Sequence, residues 1–184
     1  MDPLFVKWAS AIFAGLLLLA GWHKFASPAA FRAVLREYRL LPDVLVAAAA
    51  FAIPSVELLI AAAWLATWTG TVPASWAGAA TSALLAAYTA AIAVNLLRGR
   101  RDVSCGCSLA GGGGEPLSWG LVLRNGLLIA VALVAASPAA PRELGTGGYL
   151  LLAAVLLAST LLYLAGSQLL RNAAAIGAWR GGRD

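Results

Sequence analysis

Long uninterrupted apolar runs constrain the fold of this chain more than any other feature. They cover residues 4–21, 44–67, 76–97, 117–136 and 148–170. A helix of about 20 apolar residues crosses the hydrocarbon core of a bilayer, whereas a spanning strand needs about ten residues of alternating polarity. Because these runs are continuous rather than alternating, the sequence predicts an all-α integral membrane protein.

Composition supports the same class. Hydrophobic residues make up 61% of the 184 and charged residues 11%, whereas a soluble domain carries about 25% charged residues. This length suits one compact bundle. The net charge of +5 does not indicate nucleic-acid binding, because the basic residues stand in short blocks beside apolar runs, where they determine topology in the bilayer. Residues 1–20 have only Lys7 as a positive flank and are interpreted as a retained helix.

A short amphipathic segment, residues 28–40, separates the first two runs. Ser27 and Pro28 are typical of an N-cap followed by a first helical residue. The apolar side chains recur at helical spacing: Phe31, Val34, Leu35 and Tyr38. The charged side chains take the opposite face: Arg32, Arg36, Glu37 and Arg39. The pattern predicts a helix that lies on the membrane surface.

The predicted architecture is a four-helix transmembrane bundle with a peripheral fifth helix and this one interfacial helix. Residues 1–136 form the core, including a cysteine-bearing loop at 98–116. Residues 137–184 form a linker, the fifth span and a basic tail. Small residues recur every fourth position in the third span and predict close helix packing: Gly78, Ser82, Ala86 and Ala90.

The basic residues predict the orientation in the membrane. Ten of the thirteen fall on one side of a five-span topology: Lys24, Arg32, Arg36, Arg39, Arg98, Arg100, Arg101, Arg171, Arg180 and Arg183. The other side receives Lys7 and Arg142, and Arg124 lies inside a span. The positive-inside rule therefore predicts an outer N-terminus, a cytoplasmic C-terminus and a cytoplasmic position for loop 98–116.

Both cysteines of the chain, Cys105 and Cys107, lie in that loop with one glycine between them. A disulfide across so short a ring is strained and easily reduced, which is typical of exchanging disulfides. Nearby arginines favour the thiolate. The pattern therefore indicates thiol–disulfide exchange. Two alternatives stay open, a two-thiolate site for a soft metal such as Cu(I) and an inert pair beside topology arginines.

Glu57 lies near the middle of the second apolar run, where a charge is costly unless it faces the bundle interior, pairs or is protonated. Lys24 and Arg124, both at span edges, are its candidate partners. We expect Glu57 either to carry protons or to clamp two helices. A quinone is one candidate electron partner, and the polar residues would place it between the second and fourth spans near Glu57 and Asn125.

Other polar residues inside the spans are weighed in the same way. Arg124 either stabilises a cysteine thiolate, neutralises Glu57 or extends to the interface. Asn125 beside it favours the inward orientation. Asn95 and Tyr88 are more typical of interhelical hydrogen bonds than of catalysis. A single histidine, His23, cannot make a metal site.

Three groups of residues together match a known family. They are Gly21–Lys24 with Pro28, Phe31, Tyr38 and Leu41-Pro42; Pro54–Leu58; and Asn95–Arg100 with Cys105-Gly106-Cys107 and Leu123–Asn125. In this combination the chain resembles the MauE membrane proteins, which are related to DoxX-like four-helix bundles. The family motif is commonly Cys-Gly-Cys-Phe-Gly, whereas Ser108, Leu109 and Ala110 follow here.

The resemblance implies a role in maturing a disulfide-rich periplasmic protein of the methylamine dehydrogenase small-subunit type. It also implies a thioredoxin-like partner with a Cys-x-x-Cys motif, in the bacterial inner membrane. The sequence-based hypothesis is thus a thiol-redox maturation factor, an oxidoreductase-like role with Cys105 and Cys107 as the exchanging pair. Two rivals are a non-enzymatic scaffold for the thioredoxin-like protein and a soft-metal or small-solute carrier.

Overall fold

The computed structural model describes residues 2–100, 117–137 and 144–181. Every regular element within them is helical. The helices are α1 (Pro3–Ala26), α2 (Pro28–Tyr38), α3 (Asp43–Ala66), a short 3-10 turn (Thr67–Thr69), α4 (Ala74–Leu97), α5 (Trp119–Ala135) and α6 (Thr146–Gly181). Cys105 and Cys107 lie outside the described residues, as do Arg101 and Arg142.

The predicted architecture is confirmed. Among the described residues, α1, α3, α4 and α6 are long and apolar enough to cross a membrane, and α5 is a shorter apolar helix. The core bundle consists of α1 packed on α3 and α4 packed on α5, with α3 against α4 and α1 against α5 joining the two pairs. Helix α6 lies at the edge and packs mainly on α1. The chain is therefore a multi-pass membrane protein.

Helix α2 has the two faces that its sequence predicts. Phe31 is buried and Tyr38 is half-buried, whereas Arg32, Arg36 and Arg39 are exposed. Ser27 occupies the N-cap position, but its side chain makes no capping hydrogen bond. Ser27 also ends α1. The helix stops at Arg39, whose left-handed backbone (φ 49°) turns the chain toward α3.

Two apolar clusters hold the bundle together. The larger joins α1, α3, α4 and α5, and in it the rings of Phe13 and Trp64 stack with centroids 5.4 Å apart. The smaller joins Ile92 and Leu96 of α4 to Leu117 and Leu121 at the start of α5. Arg100, which bonds to Asn95 of α4, and Leu117 therefore lie at the same end of the bundle.

The small-residue stripe on α4 is used only in part. A Cβ atom at Gly78 would stand 2.6 Å from the Ala132 carbonyl oxygen, so glycine permits the close approach of α4 and α5. Ser82 is also buried, but Ala86 and Ala90 are exposed. Close packing is thus seen at Gly78 and Ser82, whereas Ala86 and Ala90 lie on the exposed surface of α4.

Two helices are longer than the sequence predicts. Helix α1 continues past Gly21 to Ala26, so Lys24 belongs to the helix. Helix α6 continues to Gly181, whereas its membrane-compatible part ends at Leu169. Charged and polar residues end an apolar run but do not end a helix, which explains both differences.

Candidate functional site

Gly21 brings α1 against α3 at the level of Glu57. A Cβ atom at position 21 would lie 3.0 Å from the Leu58 side chain and 3.2 Å from the Pro54 carbonyl oxygen. Glycine therefore allows the two helices to approach closely. Lys24 follows three residues later, almost one helical turn, and lies on the same face of α1. This geometry directs its side chain toward α3.

The Lys24 ammonium donates a hydrogen bond to Glu57 Oε1 and forms a buried ion pair with it. The exposed fractions of the two side chains are 5% and 1%. Lys24, which its sequence context placed at the interface, is thus inside the bundle and is the partner of Glu57. The other carboxylate oxygen, Oε2, is buried and accepts no hydrogen bond from any described residue.

Tyr88 of α4 completes this group, which we call the Lys24–Glu57–Tyr88 cluster. Its hydroxyl donates to Glu57 Oε1 over 2.7 Å, which confirms the expected interhelical hydrogen bond. Lys24 Nζ lies 5.2 Å from the centroid of the Tyr88 ring and 5.4 Å from that of Phe31, in cation–π range. Helices α1, α2, α3 and α4 therefore meet at one buried charge pair.

A cavity of about 70 Å³ lies beside the cluster. Glu57 and Tyr88 line it together with Arg124 and Asn125 of α5. The Arg124 guanidinium also lies over the ring of Tyr163 in α6, 5.8 Å from its centroid, and Asn125 is buried. The structure thus brings the polar residues of the second and fourth predicted spans around one space, with Lys24 rather than Arg124 paired to Glu57.

Asn95 lies nearer to the end of α4, and its hydrogen bonds are local. Its side-chain amide donates to the Ala91 carbonyl oxygen over 3.1 Å, and its side-chain Oδ1 accepts from the Arg100 guanidinium over 3.4 Å. The Arg100 backbone N–H donates to the backbone carbonyl oxygen of Asn95 over 3.0 Å. Asn95 therefore fixes the start of the segment that carries Cys105 and Cys107. The roles predicted for the two cysteines, and for Arg124 toward their thiolates, stay predictions.

A second polar group inside the bundle was missed by the sequence analysis. Ser10 donates to the Trp64 carbonyl oxygen over 2.6 Å and accepts from Trp68 Nε1 over 2.9 Å. Trp64 Nε1 donates to Thr81 over 2.7 Å. Ser10 and Thr81 are each fully buried. Polar residues in apolar spans are the signal that would have found them, because a membrane interior leaves hydroxyl groups to bond with protein.

The described residues hold no group of three or more His, Cys, Asp or Glu side chains that could bind a metal ion. Whether a cavity can hold a cofactor depends first on its volume. The 70 Å³ cavity has room for a few water molecules, since one needs about 10–15 Å³ by this measure, whereas an engineered cavity of about 150 Å³ binds a single benzene. Glu57 and Asn125 thus face a small space whose walls are mostly apolar.

Comparison with known proteins agrees with the resemblance in the sequence. The family model for methylamine utilisation protein MauE matches residues 2–138. The methylamine utilization protein MauE of Paracoccus denitrificans is 41% identical over 168 residues, which cover 89% of this chain and 87% of that protein. Its counterpart in Paracoccus versutus is 40% identical over 89% of this chain and 84% of its own length.

The same name belongs to a protein of Methylorubrum extorquens that is 34% identical over 79% of each chain. No solved structure matches. The family model covers well over half of the chain, and the two Paracoccus relatives align over most of their own lengths. The helical bundle built around the buried Lys24–Glu57 pair therefore belongs to the MauE family, whose members are involved in methylamine utilisation.

Proposed function

We propose that this protein is a membrane thiol-redox factor that supports disulfide formation in a periplasmic client, with Cys105 and Cys107 as the exchanging pair. The observation that carries the proposal is the Cys-Gly-Cys pair itself, the only two cysteines of the chain. Strained, accessible disulfides exchange readily, and the adjoining arginines favour the attacking thiolate.

The way the bundle holds this segment supports the proposal. Arg100 is bonded to Asn95 at the end of α4, and Leu117 packs against Ile92 and Leu96. The residues on either side of 101–116 are therefore held near Ile92, which lines one cavity with Lys24 and Tyr88. Cys105 follows Arg100 by five residues, so its Cα atom lies at most about 18 Å from that of Arg100.

The buried ion pair is a second support. A buried pair contributes little net stability, and well-packed apolar residues commonly do as well or better. Ionisable residues in a bundle interior are typical of proton-handling sites. Thiol–disulfide chemistry consumes and releases protons, so a buried carboxylate in the same bundle suits that chemistry.

Membership of the MauE family supports our proposals for the client and for the partner. Relatives are named for methylamine utilisation, so we propose a disulfide-rich client of the methylamine dehydrogenase small-subunit type. A thioredoxin-like protein with a Cys-x-x-Cys motif would pass the disulfide to it. We further propose the bacterial inner membrane, with the N-terminus outside and the C-terminus in the cytoplasm, on the positive-inside rule.

This orientation places Cys105 and Cys107 at the cytoplasmic end, whereas client disulfides form outside. A segment that folds back into the bundle would reconcile the two. Thiol labelling in intact cells tests this point. We expect a membrane-permeant maleimide, and not an impermeant one, to label the pair, and only after reduction. Labelling by the impermeant reagent after reduction would instead show an outward disulfide and reverse the topology.

Substitution tests the function itself. Cys105→Ser and Cys107→Ser should each abolish client disulfide formation, because the exchange needs both sulfurs. Ser104→Ala, beside the pair, is the matched control and should retain it. Free thiols in the wild-type protein under every redox condition would contradict the proposal and favour a soft-metal site, which stoichiometric Cu(I) binding lost in Cys107→Ser would establish.

A non-enzymatic scaffold is the second candidate, favoured by the exposed charged face of α2, to which Arg32, Arg36 and Glu37 belong. Such a scaffold would bind the thioredoxin-like partner without using the cysteines. It predicts that Cys105→Ser leaves maturation intact, while Arg32→Glu with Arg36→Glu abolishes it. The redox factor gives the opposite result for Cys105→Ser.

A further inference from the structure

A second, larger cavity of about 350 Å³ lies between α2, α3 and α4. Its walls are mostly apolar, with Leu35 of α2, Ile53 of α3 and Ile92 of α4 among them. Leu40 and Leu41, at the turn after α2, also line it and are 39% and 37% exposed. The cavity therefore opens at the surface of the protein, beneath α2.

The inner wall of this cavity is the Lys24–Glu57–Tyr88 cluster. Lys24 and Tyr88 line it directly, and Glu57 lines the 70 Å³ cavity on the other side. Tyr88 lines both. An ion pair and a phenol thus separate a large apolar space from a smaller one, also mostly apolar, whose polar lining includes Arg124 and Asn125.

The charges of the cluster select the kind of head group that the large cavity can bind. Lys24 has three N–H donors, and the hydrogen bond to Glu57 uses one of them. Glu57 neutralises its charge, and Tyr88 donates to the same carboxylate. An anionic ligand would therefore add a second negative charge beside Glu57. A neutral group with a carbonyl oxygen that accepts from Lys24 fits better.

The volume of the cavity and its opening to the surface further restrict the kind of ligand that it can bind. An engineered cavity of about 150 Å³ binds benzene, so 350 Å³ has room for a substituted six-membered ring and the start of an apolar tail. The exposed leucines give that tail a way out. A phospholipid would bring the end of an acyl chain against the ion pair, and an acyl chain has no acceptor for the N–H donors of Lys24.

We propose that this cavity is a binding site for the ring of a membrane-dissolved prenylated quinone, with one carbonyl oxygen on the Lys24 ammonium. The inference rests on the proposed function for its chemistry. There the Cys105 and Cys107 thiols form one S–S bond and lose two electrons and two protons. The quinone gains both and becomes the quinol.

Equilibrium binding of decylubiquinone to the purified full-length protein tests the site. The Cys105→Ser/Cys107→Ser protein is used, so that no thiol can react. We expect saturable binding, weakened at least tenfold by Ala91→Trp, because Ala91 lines the cavity. Ala90→Trp is the matched control on the same helix, and since Ala90 is exposed it should stay within twofold of the parent.

A second pair of variants tests whether a loss of binding comes from the filled cavity rather than from misfolding. Val34 lines the cavity from α2, whereas Ala33 is exposed, so Val34→Phe should weaken binding and Ala33→Phe should not. The absence of saturable binding, or equal binding by lining and control variants, would overturn the site. So would a phospholipid that co-purifies with the parent, is lost in Ala91→Trp and is not displaced by decylubiquinone.

The two proposals fail separately. Suppose that Cys105 and Cys107 of the wild-type protein exchange disulfides with a Cys-x-x-Cys protein but decylubiquinone does not bind. The quinone site is then refuted, while the thiol-redox function is supported. If decylubiquinone binds as expected while Cys105→Ser leaves client maturation unchanged, the site stands and the redox function falls.

Discussion

Lys24 and Glu57 form an ion pair across 33 positions of the chain, with both side chains almost completely buried. The pair joins α1 to α3 and, through Tyr88, to α4. It also lies between two cavities of different size. The contact that joins the helices therefore includes the carboxylate that we propose as a proton carrier, and variants can separate the two roles.

Replacing one member of the pair should destabilise the protein more than replacing both. Lys24→Met leaves a buried carboxylate and Glu57→Leu a buried ammonium, and loss of one partner of a buried pair costs about 3–5 kcal/mol. The double variant leaves no buried charge and should lose less than either single variant. Thermal unfolding in detergent measures all three.

Client maturation in the double variant then separates the two roles of Glu57. We expect a folded protein that no longer supports disulfide formation, because it lacks the carboxylate that we propose as the proton carrier. Full activity in the double variant would show that the pair is only a clamp between helices.

Tyr88→Phe should lower the free energy of unfolding by about 1–2 kcal/mol, because it removes one buried hydrogen bond to a charged acceptor. The ring remains, so the cation–π contact with Lys24 is kept. Tyr149→Phe provides the comparison, since Tyr149 is half exposed and its loss of a hydroxyl should change stability by less than about 0.5 kcal/mol. Equal effects in the two variants would argue against the Glu57 hydrogen bond.

Gly78→Ala should destabilise the bundle by about 1–3 kcal/mol, the usual cost of overpacking. The added methyl group would meet the Ala132 carbonyl oxygen and Ala136 Cβ, and a helix backbone cannot yield locally. Gly126→Ala is the control, because nothing lies within 4 Å of a Cβ there. That variant should be neutral or gain up to about 1 kcal/mol from helix propensity. A tolerated Gly78→Ala would show that α4 and α5 are further apart.

Ser10→Ala should cost about 1–3 kcal/mol, because Trp68 Nε1 loses its acceptor and the Trp64 carbonyl loses a donor. Ser55→Ala is the matched serine substitution in α3. Its hydroxyl bonds only to a carbonyl of its own helix among the described contacts, so the change should be small. Comparison of the two melting temperatures checks the prediction, which a smaller loss at Ser10 than at Ser55 would refute.

The sequence was sufficient for the fold because the bilayer imposes simple rules. Apolar runs located the four long helices and the shorter α5, and the helical spacing of apolar and charged residues assigned both faces of α2 correctly. Helix ends were less predictable. Lys24 marks the end of an apolar run, but it continues α1 for another turn because it can bury its charge against Glu57.

The sequence named Lys24 and Arg124 as the two candidate partners of Glu57 without deciding between them. Both cations stand at span edges, and position along a span does not decide which of them meets the carboxylate. The close approach at Gly21 decides it. The 350 Å³ cavity could not be predicted either, because a cavity depends on how α2 lies over α3 and α4 rather than on any one residue.

The single-residue joint at Ser27 has a mechanical consequence. Helices α1 and α2 share this residue as the end of one and the beginning of the other, so no slack chain lies between them. A force that tilts α2 at the membrane surface must act as a torque on the last turn of α1, where Lys24 lies. Bilayer tension, or a protein pressing on the arginine face of α2, would thereby load the charge pair in the centre of the bundle.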